Sequence, residues 1–213
     1  MRGVVKVGDT GNFRYLVANE FICGRLALIL GLPVPPGVIV RTKDDELAYV
    51  SLRFGTKDER APPIIASHLV SDNPHVTAGI IAFDCWIAND DRHSRNIAYS
   101  RDHLPVQVFD HGHALLGAGP DAGIERLLRY ADRPAVSDCL APHATMSKPF
   151  DPWIERIVAI HTGLIEDTVR MVVSHGGLTE DESTEVCRFL KERKAQVMKL
   201  IRSAARELPK IEW

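Results

Sequence analysis

Three oxygen-bearing side chains, Asp91, Asn96 and Asp110, have the types and spacing to handle a phosphorylated ligand. Asp91 and Asn96 stand five residues apart across the polar run 89–95, a turn that returns both side chains to one region. Asp110 ends the apolar run Val106-Gln107-Val108-Phe109 and precedes His111 and Gly112. Its carboxylate is therefore expected at a strand end, where the chain can turn sharply. One amide oxygen and one carboxylate make a sparse ligand set. Such a set suits Mg²⁺, which keeps several waters and draws its other ligands from a nucleotide's phosphates. Asp91 is then free to orient or deprotonate an attacking hydroxyl, and phosphoryl transfer needs little more than positioning and charge neutralisation. Each residue also has a plainer reading: Asp91 with Asn96 as a polar turn capping a buried helix, Asp110 as a turn former.

These residues need elements to carry them. Gly3-Val4-Val5-Lys6-Val7 reads as a strand ended by the glycine-containing turn 8–12. Leu16, Phe21 or Ile22, Leu26, and Ile29 or Leu30 recur at helical spacing, which predicts a helix from residue 12 or 13 to 30, stopped by Gly31. Two further strands are expected over 37–40 and 46–54, paired across 42–45, with a linker over 55–63. From residue 64 the pattern turns helical. Residues 77–88 are apolar on nearly all sides (Ile80, Ile81, Phe83, Trp86, Ile87), as in a buried central helix. A hairpin is expected from runs 96–99 and 106–109, a surface loop over 117–123, and helices over 151–162, 163–175 and 179–208. Thr179 and Glu182 have the spacing of a capping box for the last. Trp86, Trp153 and Phe150 are expected in the core.

The chain has 213 residues, 45% apolar and 25% charged, enough to pack a core. The formal net charge is −2, which gives no electrostatic reason to expect nucleic acid or an anionic membrane as partner. Short basic runs such as 191–194 read as a solvated helix face. Cys23, Cys85, Cys139 and Cys187 are scattered, without the pairing of a zinc site or disulfide framework, and are expected to pack as small apolar residues. His93, His103, His111 and His113 cluster in sequence but lack the i, i+4 helical spacing of a zinc pair. No apolar stretch reaches membrane-spanning length and no export signal is evident, so a cytoplasmic protein is expected.

The D-x-x-x-x-N spacing followed by D-x-G is that of kinases. Asp91-Arg92-His93-x-x-Asn96-Ile97 with Asp110-His111-Gly112-His113-Ala114-Leu115 resembles the catalytic and metal-binding loops of phosphatidylinositol 3/4-kinases. The wider frame, Trp86-Ile87-x-Asn89-x-Asp91-Arg92-His93-x-x-Asn96, most resembles the HipA-like kinase family. Val5-Lys6, Ala18-Asn19-Glu20-x-x-x-x-Arg25-Leu26-Ala27 and Gly31-Leu32-Pro33-Val34-Pro35 are similar to its small-lobe stretch, so the likeness covers residues 3–116.

The resemblance implies a two-lobed α+β kinase-like fold, with a small nucleotide-binding lobe over 1–60 and a mainly helical catalytic lobe over 61–213. It implies ATP and Mg²⁺ as cofactors, and as acceptor a hydroxyl on a protein, such as Ser/Thr, or on a small molecule. Asp91 would be the catalytic base or orient the acceptor, with His93 a structural member of the catalytic loop. Asn96 and Asp110 would bind Mg²⁺. Lys6, held by Glu20, would reach the phosphates, and Leu52 to Phe54 would offer backbone groups to adenine as a hinge. The plainer readings are an edge-strand gatekeeper for Lys6 and an exposed helix residue for Glu20. Only five residues precede Lys6, where these kinases place a glycine-rich loop. A nucleotide- or partner-binding pseudokinase is therefore one alternative. A lipid kinase is another, though no basic amphipathic helix supports it.

Overall fold

A computed structural model describes the chain apart from residues 1–2, 9–10, 12, 55–62, 102–103 and 137. The expected linker, save residue 63, and the lobe boundary at 60/61 thus lie outside the described residues, as does most of the turn 8–12.

The chain opens with β1 (Gly3–Val7), α1 (Leu16–Leu30), β2 (Gly37–Arg41) and β3 (Leu47–Leu52), the β-α-β-β order read from the sequence. β3 is central, antiparallel to both neighbours in the order β1-β3-β2, and Lys6 stands opposite Tyr49. Gly31 ends α1 in the left-handed region at φ 83°, where its N–H reaches the carbonyls of Ala27 and Leu28. α1 does not present Glu20 on an exposed face, as the plainer reading had it. It is buried nearly all round, Asn19 and Glu20 included.

The rest is mainly helical. α2 (Ala66–Asp72) and α3 (Pro74–Ile87) precede a hairpin of β4 (Ile97–Ser100) and β5 (Leu104–Val108), followed by α4 (Ile124–Tyr130), α5 (Asp151–Ala159), α6 (Thr162–Ser174) and α7 (Glu180–Ser203). α3 is the central helix: Ile80, Ile81, Phe83, Trp86 and Ile87 are buried, and the Trp86 indole N–H donates to Leu190 O at 2.9 Å. Trp153 and Phe150 are buried too. The Trp153 ring lies flat on Gly79, where a Cβ would sit 2.4 Å from Cε2. α7 starts with the expected reciprocal cap: Thr179 Oγ1 accepts from Glu182 N at 3.2 Å, and a Glu182 carboxylate oxygen accepts from Thr179 N at 2.8 Å. α2 and α4, of seven residues each, are too short for their periodicity to have been read.

The basic run 191–194 departs from the expected solvated face. Arg193 is fully buried and donates to the carbonyls of Cys85, Trp86, Tyr130 and Arg133, tying α7 to the ends of α3 and α4. A helix C-terminus leaves such carbonyls without intrahelical partners, and a fixed guanidinium satisfies several at once. Cys23 and Cys85 pack as buried free thiols, while Cys139 and Cys187 are half-buried. Among the described residues no helix is long and apolar enough to cross a membrane.

Candidate active site

Lys6 leaves β1 toward α1 and enters neither solvent nor an edge-protecting role. Its Nζ lies 2.6 Å from Glu20 Oε1 and 2.8 Å from Asp110 Oδ1, so one ammonium joins β1, α1 and the end of β5. Glu20 is only 4% exposed at its side chain, which overturns its exposed reading. Burial pulls the Lys6 ammonium down, but the two carboxylates outweigh it and the lysine sits above its ordinary value. Burial likewise works to raise Asp110, yet Lys6 draws it below the usual carboxylate range. Glu20, deeper, is pushed up by burial and by the charge of Asp110 despite Lys6.

Asp110 itself takes φ 64°, a left-handed conformation that a short Asp side chain tolerates better than most. The chain then folds back under α1. His111 N donates to Glu20 Oε1 at 3.0 Å, and the Asn19 amide donates to Gly112 O at 2.8 Å and Gly117 O at 3.1 Å. Neighbouring residues of α1 thus hold the loop that follows Asp110. The His111 ring is buried against the edge of Phe83, and burial drives its pKa well below the usual histidine value, so it is neutral at pH 7.

The loop bearing Asp91 and Asn96 hangs from the end of α3. Ala88 closes the helix at φ 53°, and the Asn89 amide donates to Asp84 Oδ1 at 2.9 Å. Arg92 then forks onto the Asp84 carboxylate, Nε to Oδ2 at 3.0 Å and Nη2 to Oδ1 at 3.1 Å, both side chains fully buried. The remaining guanidinium nitrogen donates to Phe109 O at 2.5 Å, with longer bonds of 3.3 Å to Asn96 O and Asp110 O. Arg92 thereby locks the Asp91 loop to the strand end that carries Asp110. In the sequence Arg92 stands out only as a motif letter. Its position before the run of loop residues, eight after a helical Asp, was the available signal.

The Asn96 amide nitrogen donates to Asp91 O at 2.9 Å, which leaves its oxygen as the atom able to meet a cation. Asp91 is half-exposed, and His113 Nε2 stands 4.0 Å from its Oδ2. The structure therefore gathers Lys6, Glu20, Asp91, Asn96 and Asp110 into one connected network. The His93 side chain is exposed, its Nδ1 accepting from Arg95 N at 3.1 Å, while its carbonyl accepts from Asn96 N at 3.0 Å within the same loop. At the expected hinge, the Leu52 N–H already donates to Pro36 O at 2.9 Å. The Phe54 ring lies 5.2 Å from that of Phe109, beside Asp110.

Comparison with known proteins follows the same lines. Of solved structures, the Helicobacter pylori proinflammatory kinase CtkA is similar over 97% of this chain and 91% of its own, at 15% identity and a TM-score of 0.64. A chain of the Shewanella oneidensis MR-1 toxin–antitoxin complex of HipA, HipB and operator DNA is similar over 99% of this chain but 61% of its own, at 15% identity and a TM-score of 0.50. At such identity these two establish the fold, a kinase-like α+β architecture. No curated protein matches the sequence. The model of the HipA-like kinases matches residues 4–119, a span that takes in Lys6, Glu20, Asp91, Asn96 and Asp110. Because that match covers more than half of the sequence and its whole candidate site, the chain belongs to the HipA-like kinase family.

Proposed function

We propose that the chain is an ATP- and Mg²⁺-dependent phosphotransferase acting on a hydroxyl acceptor, a protein Ser/Thr or a small molecule. The carrying observation is Lys6, held by a buried Glu20 and in contact with Asp110. Such an ammonium is fixed before any ligand arrives, so it can neutralise phosphate charge without ordering during the reaction. Asp110 and the Asn96 oxygen are hard donors that fit Mg²⁺. Among the described residues no three His, Cys, Asp or Glu side chains converge on a metal-sized site, so the nucleotide's phosphates and water would complete the coordination. Bound Mg²⁺ would neutralise charge on the phosphates. Asp91, half-exposed and in the loop tied by the Asn96 amide, accepts or orients the acceptor hydroxyl proton as the oxygen attacks the γ-phosphorus and ADP leaves. The operator DNA of the similar HipA–HipB complex belongs to that assembly, and a net charge of −2 supplies no general attraction for DNA here.

The test is calorimetry and turnover with labelled ATP for the wild type and Asp110→Ala. The reading expects Mg²⁺-dependent nucleotide binding and product in the wild type, and loss of the Mg²⁺-dependent affinity in the variant with an unchanged circular dichroism spectrum. Nucleotide binding without any labelled product would sink turnover in favour of a pseudokinase, and activity only on lipid vesicles would move the acceptor to a lipid.

A further inference from the structure

Arg126 lies on α4, beyond the residues matched by the family model, yet it reaches both loops of the candidate site. The side chain is 7% exposed. Nη1 donates to Leu115 O at 2.6 Å, and Nη2 donates to Ala88 O at 2.8 Å and Asp90 Oδ1 at 3.0 Å. Leu115 belongs to the stretch running on from Asp110. Ala88 and Asp90 belong to the stretch running into Asp91. A single guanidinium therefore spans the two segments whose relative placement decides how far Asp91 stands from Asp110.

Its own position is secured from three sides. The Tyr130 hydroxyl donates to the other oxygen of Asp90 at 2.5 Å, so the carboxylate beside Asp91 is held at both ends. The Tyr130 ring lies under the guanidinium, 4.6 Å from ring centre to Cζ. The loop after Asp110 is shaped around the Arg126 stem: at Gly117, with φ 73°, a Cβ would fall 2.4 Å from Arg126 Cδ. Arg193 in turn fixes the end of α4 through the Tyr130 carbonyl. A planar fork with five donors in set directions can do this, and a lysine ammonium cannot meet the same three acceptors in that geometry.

We propose that Arg126, aligned by Tyr130, is a positioning residue that sets the spacing between the Asp91 loop and the Asp110 loop. The proposal rests on the phosphotransferase reading for its kinetic consequence, but its structural consequence stands apart from turnover. A displacement of the loops by an ångström is enough to lower kcat by about 100-fold while leaving nucleotide contacts on β1 and β3 in place.

The experiment compares wild type, Arg126→Lys and Tyr130→Phe. Two quantities are read: kcat and KM for labelled ATP with Mg²⁺, and the calorimetric ratio of ATP affinities with and without Mg²⁺. Arg126→Lys is expected to lose about 10- to 100-fold in kcat, and to lower the Mg²⁺ affinity ratio about three- to fivefold with KM for ATP and Mg²⁺ rising by no more than that. Tyr130→Phe should shift both in the same direction by less. All measurements are made well below each variant's melting temperature. Wild-type kcat and affinity ratio in Arg126→Lys, within about twofold, overturn the proposal, as does a kcat loss matched by an equal rise in KM. If the wild type binds Mg²⁺ and ATP without turnover, the phosphotransferase reading falls and the affinity ratio alone decides on Arg126. If the wild type binds no ATP, both fall.

Discussion

Replacing Arg92 by methionine keeps most of the side chain's apolar volume and deletes the fork that joins the two loops. Arg92 and Asp84 are both fully buried and share two bonds of 3.0 and 3.1 Å. Removing one partner of such a pair strands the other, at about 3–5 kcal/mol. For a chain of 213 residues each kcal/mol lowers the melting temperature by about 2–4 °C, so Arg92→Met should melt about 6–20 °C below wild type. The loss should depend on pH with a definite sign. Burial holds the Asp84 carboxyl above its ordinary value of 3.8 even with Arg92 present. A carboxyl raised in the folded state contributes fully below the unfolded value and loses that contribution as pH rises through the folded one. Without Arg92 the folded value climbs further, so the gap to wild type opens from acid toward neutral pH. Removing the stranded charge as well, in Asp84→Asn with Arg92→Met, should recover part of the deficit. Urea and thermal unfolding of the three proteins across about pH 4 to 8 measure all of this. A single-variant loss below about 1 kcal/mol at pH 7, the size of an exposed ion pair, or a double variant no more stable than Arg92→Met, would refute the reasoning.

Lys6→Met should lower kcat/KM for ATP by about 100- to 1,000-fold in steady-state turnover, because it removes a pre-fixed cation from the proposed phosphate site; an unchanged value would detach Lys6 from the nucleotide. Asp110 is depressed in the folded state, so its contribution to stability is present above the usual carboxylate value and fades as pH falls through the lowered one. The stability advantage of wild type over Asp110→Asn should therefore vanish in acid, and an advantage that stays level down to about pH 2 in urea titrations would contradict the ion pair. Gly79→Ala gains about 1 kcal/mol of helix propensity but drives a methyl into the Trp153 ring 2.4 Å away, and overpacking of about 1–3 kcal/mol should win, lowering the melting temperature. Thr179→Ala removes the acceptor for Glu182 N–H, and calorimetric melting should fall by about 2–4 °C for a cap of about 1 kcal/mol.

Features set within a few residues were legible in the sequence alone. The stop at Gly31, the cap at Thr179 and Glu182, the apolar α3 and the 97–108 hairpin all follow from local rules on turns, caps and periodicity. Asn96 donating to the Asp91 carbonyl is likewise a bond within one loop. The burial of Glu20 was not legible, because α1 offers a carboxylate at a position that spacing alone assigns equally well to solvent. Arg193 misled for the same reason: in a run of charges a buried arginine and an exposed one look alike.

What the sequence by itself determined is the order of elements and the letters of the kinase-family motif, since both are written in short-range pattern. What tertiary structure alone decided is which cations hold those letters in place. Lys6 meets Asp110, Arg92 meets Phe109, and Arg126 meets Ala88 and Leu115 only after separate segments have packed. The physical reason is that a buried charge must find partners or pay a large desolvation penalty, and which carbonyls and carboxylates lie within reach is a property of the packed core rather than of neighbouring residues.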